Sequence, residues 1–140
     1  KFTTGITIIC IQNKKGVFGK TVNSFSSVSL KPPLVLFSLG YDSSSIREYL
    51  KTKFLSINIL SNKQKDLSIH FAKKKNSFNK ILFEDGRKGT VIIPKCLGNL
   101  ECELINTIKQ GDHIIFICKV MHVKYDDKLK PLSYFNSNYS

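Results

Sequence analysis

The sequence predicts a mainly β protein, an antiparallel barrel with two or three short helices, and three observations predict it. Short runs of Ile, Val, Leu, Thr and Phe, about seven in all, have the length and composition of strands. Turn signals such as Asn13-Lys14-Lys15-Gly16, Asp85-Gly86 and Gln110-Gly111-Asp112 punctuate them. The length of 140 residues with 41% hydrophobic content bounds one domain, residues 1–140, large enough for a real core and too short for two. Neither a repeat nor a linker interrupts it.

Each element has its own signature. Ile6 to Gln12 is rich in Ile and Thr and reads as a strand, with Val17 to Val22 returning as its hairpin partner across the Asn13–Gly16 turn. Leu34 to Leu39 is an apolar run of strand length, and Pro32-Pro33 predicts an extended approach to it with two backbone donors withheld. Ser43 to Ser45 precede Ile46, Tyr49, Leu50 and Phe54 at helical spacing, which predicts a short helix with a serine N-cap. Phe54 to Leu60 is another strand. Asn62 is the expected cap of a second amphipathic helix through Leu67, Ile69 or His70, and Phe71, ending at Ala72 before a lysine run.

The polar segment 73–89 carries Phe78, Ile81 and Leu82 as expected anchors. Beyond Leu97, Leu100, Cys102 and Leu104 alternate with Glu101 and Glu103, the pattern of a half-exposed antiparallel strand. His113 to Tyr125 is a long strand apolar on both faces, which predicts burial on both sides at a subunit interface. Pro131 to Phe135 is a last short strand.

Composition narrows the function classes. The longest apolar stretches, Ile6 to Ile11 and Ile114 to Cys118, fall far short of the roughly 20 residues of a membrane-spanning helix. Cys10, Cys96, Cys102 and Cys118 form no CxxC pair and read as buried free thiols of a reducing, cytoplasmic compartment. The alternative is a Cys102–Cys118 disulfide, should their strands be neighbours. His70, His113 and His122 are too scattered for a zinc site, so no metal is expected. The net charge of +12 comes almost wholly from lysine, with Arg47 and Arg87 the only arginines. That favours a solvated basic surface over a nucleic-acid face, for which stacking aromatics such as Phe116, Tyr125 and Tyr134 would be the case. Either reading predicts attraction to anions.

The stretch from Gly19 to Leu39 packs short polar side chains between apolar runs, and such clusters are ordinarily loop residues satisfying their own backbone. Here they sit in a longer series: Phe2 to Thr7, Gly19 to Leu30, Pro32-Pro33-Leu34-Val35, Phe54 to Leu60 with Gln64, Gly111-Asp112-His113, and Pro131 to Phe135 with Tyr139. In order and along essentially the whole chain, these resemble the short-chain flavin reductases, the reductase partners of two-component aromatic monooxygenases. Gly19 to Val35 is the most specific part. Residues 73–95 match poorly, and the resemblance implies that an initial helix before Phe2 is missing from the chain.

The resemblance implies an FMN-binding split barrel, a homodimer with its flavin near the subunit interface, and NADH or NADPH as hydride donor to FMN or FAD. On this chain Thr21, Val22, Asn23 and Ser24 would line the isoalloxazine edge. Ser38, Leu39 and Gly40 would follow the ribityl chain, and Ser43, Ser44 and Ser45 would receive the phosphate. His113 and Tyr139 would close the nicotinamide side. The residue types suit such a ligand: a flavin needs short polar groups beside apolar wall, and a phosphate needs converging hydroxyls at a helix start. Hydride passes directly between the stacked rings, so no catalytic nucleophile or carboxylate pair is expected. The alternative within the same fold is a flavin carrier or store without efficient nicotinamide turnover.

Overall fold

The computed structural model describes residues 2–140. Its strands and helices in chain order are β1 (Thr4–Gly5), β2 (Thr7–Asn13), β3 (Gly16–Val22), β4 (Ser26–Ser29), β5 (Leu34–Gly40), α1 (Ile46–Lys51), β6 (Phe54–Ile59), α2 (Lys65–Ala72), β7 (Glu84–Asp85), β8 (Val91–Ile92), β9 (Gly98–Gln110), β10 (His113–Tyr125), β11 (Ser133–Phe135) and β12 (Asn138–Tyr139). Seven of them form one antiparallel sheet in the order β3-β2-β6-β9-β10-β5-β4. Short sheets β1-β11-β12 and β7-β8 flank it.

The sheet curls around a core that the strand alternation supplies. Ile9 and Ile11 of β2 point inward with Val35, Phe37 and Leu39 of β5, Leu55 and Ile57 of β6, and Phe116 and Cys118 of β10. Phe37 and Phe116 are register partners, and their rings stack at 4.9 Å, nearly parallel. Tyr49 of α1 plugs this core and satisfies its hydroxyl on the Ile9 carbonyl at 2.9 Å. The opposite face of β2, Ile8 and Cys10, packs with Phe71 of α2, Val91, Ile93 and Leu132. Both faces of β2 are therefore buried, which its near-continuous apolar run anticipates.

Between the layers lies a satisfied polar cluster. Asn58 donates to the Ile8 carbonyl at 2.9 Å, while its own side-chain oxygen accepts from the Ile93 amide at 3.0 Å and from Asn99 at 2.8 Å. All four cysteines are buried and free, in agreement with the thiol reading rather than the disulfide. Burial raises the Cys118 thiol to about 12 and the Cys96 thiol to about 11.

Several local expectations need correction. Pro32 and Pro33 occupy the turn between β4 and β5 instead of an extended lead, and the run after them buries only alternate residues. α1 spans six residues, with Ser45 before it in the left-handed region and no side-chain cap. α2 starts after Gln64, not Asn62, because the Gln64 side chain folds back to accept the Ser61 amide at 2.9 Å. Leu82 is exposed, whereas Phe78 and Ile81 do pack on the second core. Glu101, expected on a solvent face, is buried because the segment 86–90 covers it and bonds to it. Within the single chain β10 buries one face, through Ile114, Phe116 and Cys118, and its other face is the one expected at a subunit interface. Phe116 lies wholly inside the core, so it is not a stacking surface for nucleic acid.

Candidate functional site

The two ends of the seven-stranded sheet, β3 and β4, share no ladder among the described residues. The gap is bridged just beyond β3, where the Ser24 hydroxyl accepts the Ser38 amide at 2.9 Å and donates to the Ser38 carbonyl at 3.1 Å. Beside this bridge opens a cavity of about 410 Å³. Thr21, Val22, Asn23 and Ser24 form one wall, Ser38, Leu39 and Gly40 another, and Ser43 and Ser44 the turn at its end. His113 joins from the first residue of β10, where it is the register partner of Gly40.

Nine of the ten residues expected to hold flavin thus line a single cavity, together with His113. Ser45 lies outside it and faces an adjoining cavity. Tyr139 lies behind the wall. Its hydroxyl and that of Ser68 are 2.9 Å apart, and the Ser68 carbonyl accepts the Thr21 hydroxyl at 2.7 Å.

The polar groups divide into those already bonded and those still available. Ser24 is fully engaged with Ser38, and Ser43 donates to the Gly40 carbonyl at 2.7 Å. Ser44 accepts from the Lys20 ammonium at 3.1 Å, so its hydroxyl proton remains free to donate. The Asn23 amide, exposed at the rim, has no partner among the described residues, leaving two donors and an acceptor. Since α1 has under two turns and no cap, the serines before it act through their own hydroxyls and amides, not through a long helix dipole.

Sequence reasoning did not place Lys20, Asp42, Phe71, Ala72, Lys73 and Lys74, yet all line the cavity. Lys20 stands inside the recognised stretch, and its half-buried position pushes its ammonium below the usual lysine range by desolvation. Lys73 and Lys74 arrive because α2 ends at Ala72 against β3. Three lysines against the single Asp42 carboxylate make the cavity a receptor for an anion. The unpartnered Asn23 amide and the lysines, brought to one cavity, fit a ligand with a hydrogen-bonding edge and a phosphate.

Asp112 and His113 sit at the rim with Oδ1 and Nδ1 2.7 Å apart, and this contact holds the Asp112 carboxyl below its usual range. A larger cavity of about 660 Å³, between Gln64, Ile81 and Pro94, contains none of the expected residues.

The sequence matches the flavin reductase like domain over residues 1–140. It is 36% identical over 126 residues to the FMN reductase (NADH) SmoA of Agrobacterium fabrum, covering 90% of this chain and 72% of that protein. It is 30% identical over 143 residues to the flavin-dependent monooxygenase reductase subunit HsaB of Mycobacterium tuberculosis, covering 100% of this chain and 76% of that one. The fold superimposes with a TM-score of 0.95 on the Streptomyces globisporus NADH:FAD oxidoreductase SgcE6, solved with NAD and FAD fragments, at 27% identity over 100% of this chain and 86% of the other. The strand order, the bridged gap and the family match over the whole sequence agree, and the chain belongs to the flavin reductase like domain family.

Proposed function

We propose that residues 1–140 work as a single flavin reductase domain that passes a hydride from NADH or NADPH to FMN or FAD. The observation that carries this reading is the cavity beside the Ser24–Ser38 bridge, where the expected flavin residues meet three lysines. When bound, the flavin supplies the electron-accepting chemistry. The chain's own work is to hold and shield it. Asn23 offers its amide to a hydrogen-bonding edge, Leu39 and Phe71 supply apolar wall, and Lys20, Ser44, Lys73 and Lys74 receive the phosphate. His113, oriented by Asp112, borders the open side where a nicotinamide approaches.

The domain is further proposed to act as a homodimer that hands reduced flavin to a monooxygenase. Ile105 and Ile108 on β9, with Met121 and Val123 on β10, are exposed apolar residues suited to burial against a second copy. A reducing, cytoplasmic setting accords with the four free thiols. No helix among the described residues is long and apolar enough to cross a membrane.

The test is the flavin-dependent loss of reduced-nicotinamide absorbance, with each donor and each flavin in turn. Consumption that requires added flavin supports the reductase. Flavin binding without consumption replaces it with a carrier, and absence of flavin binding removes both.

A further inference from the structure

The flavin cavity does not end at its phosphate-receiving lysines. Lys20, Ser44 and Lys74 also line a second cavity of about 170 Å³, whose other walls include Lys15, Ser45, Asn76 and Ser77. Lys15, Phe18 and Ser45 in turn line a third, open cavity of about 450 Å³ that includes Ile46 and Arg47. The three adjoin through shared side chains and make one groove. A single phosphate at Lys20 and Lys74, which border the first two cavities, would leave the third unused.

The middle of the groove has anion chemistry. Its lining contains three lysines, three serines and an asparagine, and no carboxylate. The Lys74 ammonium has no partner among the described residues, and Ser44 keeps a free proton. Glu48, the only carboxylate further along, is occupied by Lys15 at 2.9 Å and Asn13 at 2.8 Å. The far end changes character: Phe18 and Ile46 present apolar surface and Arg47 a planar cation, the surroundings in which a purine stacks. His113 borders only the first cavity, at the proposed nicotinamide side.

We propose that this groove seats the adenosine diphosphate half of FAD, and that the chain takes FAD in preference to FMN. The proposal rests on reading the first cavity as the flavin site. It assigns the second phosphate to the middle of the groove near Lys74 and Ser77, with Lys15 neutralising Glu48 beside them, and the adenosine to the Phe18–Arg47 end.

The experiment is equilibrium titration of the purified protein with riboflavin, FMN, FAD and ADP, followed by flavin fluorescence and calorimetry. FAD should bind at least about tenfold tighter than FMN, and ADP should displace FAD but not riboflavin. Ser77→Asp, which retains an acceptor for the Asn79 amide, and Lys15→Glu each place negative charge in the groove. Both should cut the FAD-over-FMN preference by roughly tenfold, with FMN binding of the same sample reporting that it is folded. Equal affinity for the two flavins, or an equal loss of both in the variants, overturns the proposal and leaves the flavin site standing. A raised KM for NADH with an unchanged FAD preference assigns the groove to the nicotinamide donor, which also overturns it. Failure to bind any flavin removes the site reading itself.

Discussion

Ser24 satisfies both backbone groups of Ser38 with one hydroxyl, accepting the amide at 2.9 Å and donating to the carbonyl at 3.1 Å. The pair takes the place of a ladder where the sheet is open, and it fixes β5 against the turn after β3. Ser24→Ala removes both bonds and leaves a half-buried amide unpaired, at a cost of about 1–3 kcal/mol. The urea midpoint should fall with an unchanged slope, and flavin affinity should fall with it, because Ser38, Leu39 and Gly40 share the cavity wall. Ser24→Thr keeps the oxygen and should recover most of both; an unaltered midpoint in Ser24→Ala would show that the bridge holds nothing.

Asn23 is the complementary case, a rim amide with no intramolecular duty. Asn23→Leu should weaken flavin binding about tenfold while changing stability by no more than about 0.5 kcal/mol. Fluorescence titration and a denaturant curve on the same preparation separate the two effects. Retained affinity would take Asn23 out of the site.

The strands were legible because β-branched runs, alternation and turn residues all act locally, and β2, β3, β6 and β10 begin and end within a residue or two of their expected limits. The wall from Thr21 to Ser24 was legible through its resemblance to a family, since serines and threonines alone also describe a loop. What escaped depends on contacts distant in sequence. Lys20 is half-buried only because Ser44 and Tyr49 come to lie beside it, and Glu101 is buried only because the segment 86–90 folds over it. Lys73 and Lys74 looked like any solvated lysine run until the end of α2 set them at the cavity mouth. Gln64 displaced Asn62 as the start of α2 through a bond to its own preceding turn, which composition does not distinguish.

Gly19 shows a constraint that no turn or positive φ explains. A Cβ there would stand 2.9 Å from two ring carbons of Phe71 and 3.0 Å from one of Phe78. Phe71 is fully buried and lines the cavity, so its ring has little room to retreat. Gly19→Ala should therefore cost about 1–3 kcal/mol through overpacking and should also weaken flavin binding. A thermal melt and a flavin titration measure the two effects. A variant with wild-type melting would mean that α2 shifts freely over β3.

Glu101 gives the fold an acid-sensitive clasp. Its carboxylate accepts the Thr90 hydroxyl at 2.7 Å and the Arg87 amide at 2.5 Å, with the Arg87 guanidinium at 3.5 Å. Burial raises its pKa, but the bonds from Thr90 and the Arg87 amide, with the charges of His122 and Arg87, outweigh that and hold it below 4.5. The unfolded chain then binds the proton more readily than the folded one. The stabilisation is complete above about pH 4.5 and is lost as pH falls through the lower, folded value. Glu101→Gln keeps the shape and removes the charge. Near neutral pH it should lower the urea midpoint and speed amide exchange in residues 84–92. In acid, at about pH 3, the difference from wild type should shrink. A gap that stays constant across this range would assign the role of Glu101 to packing instead of charge.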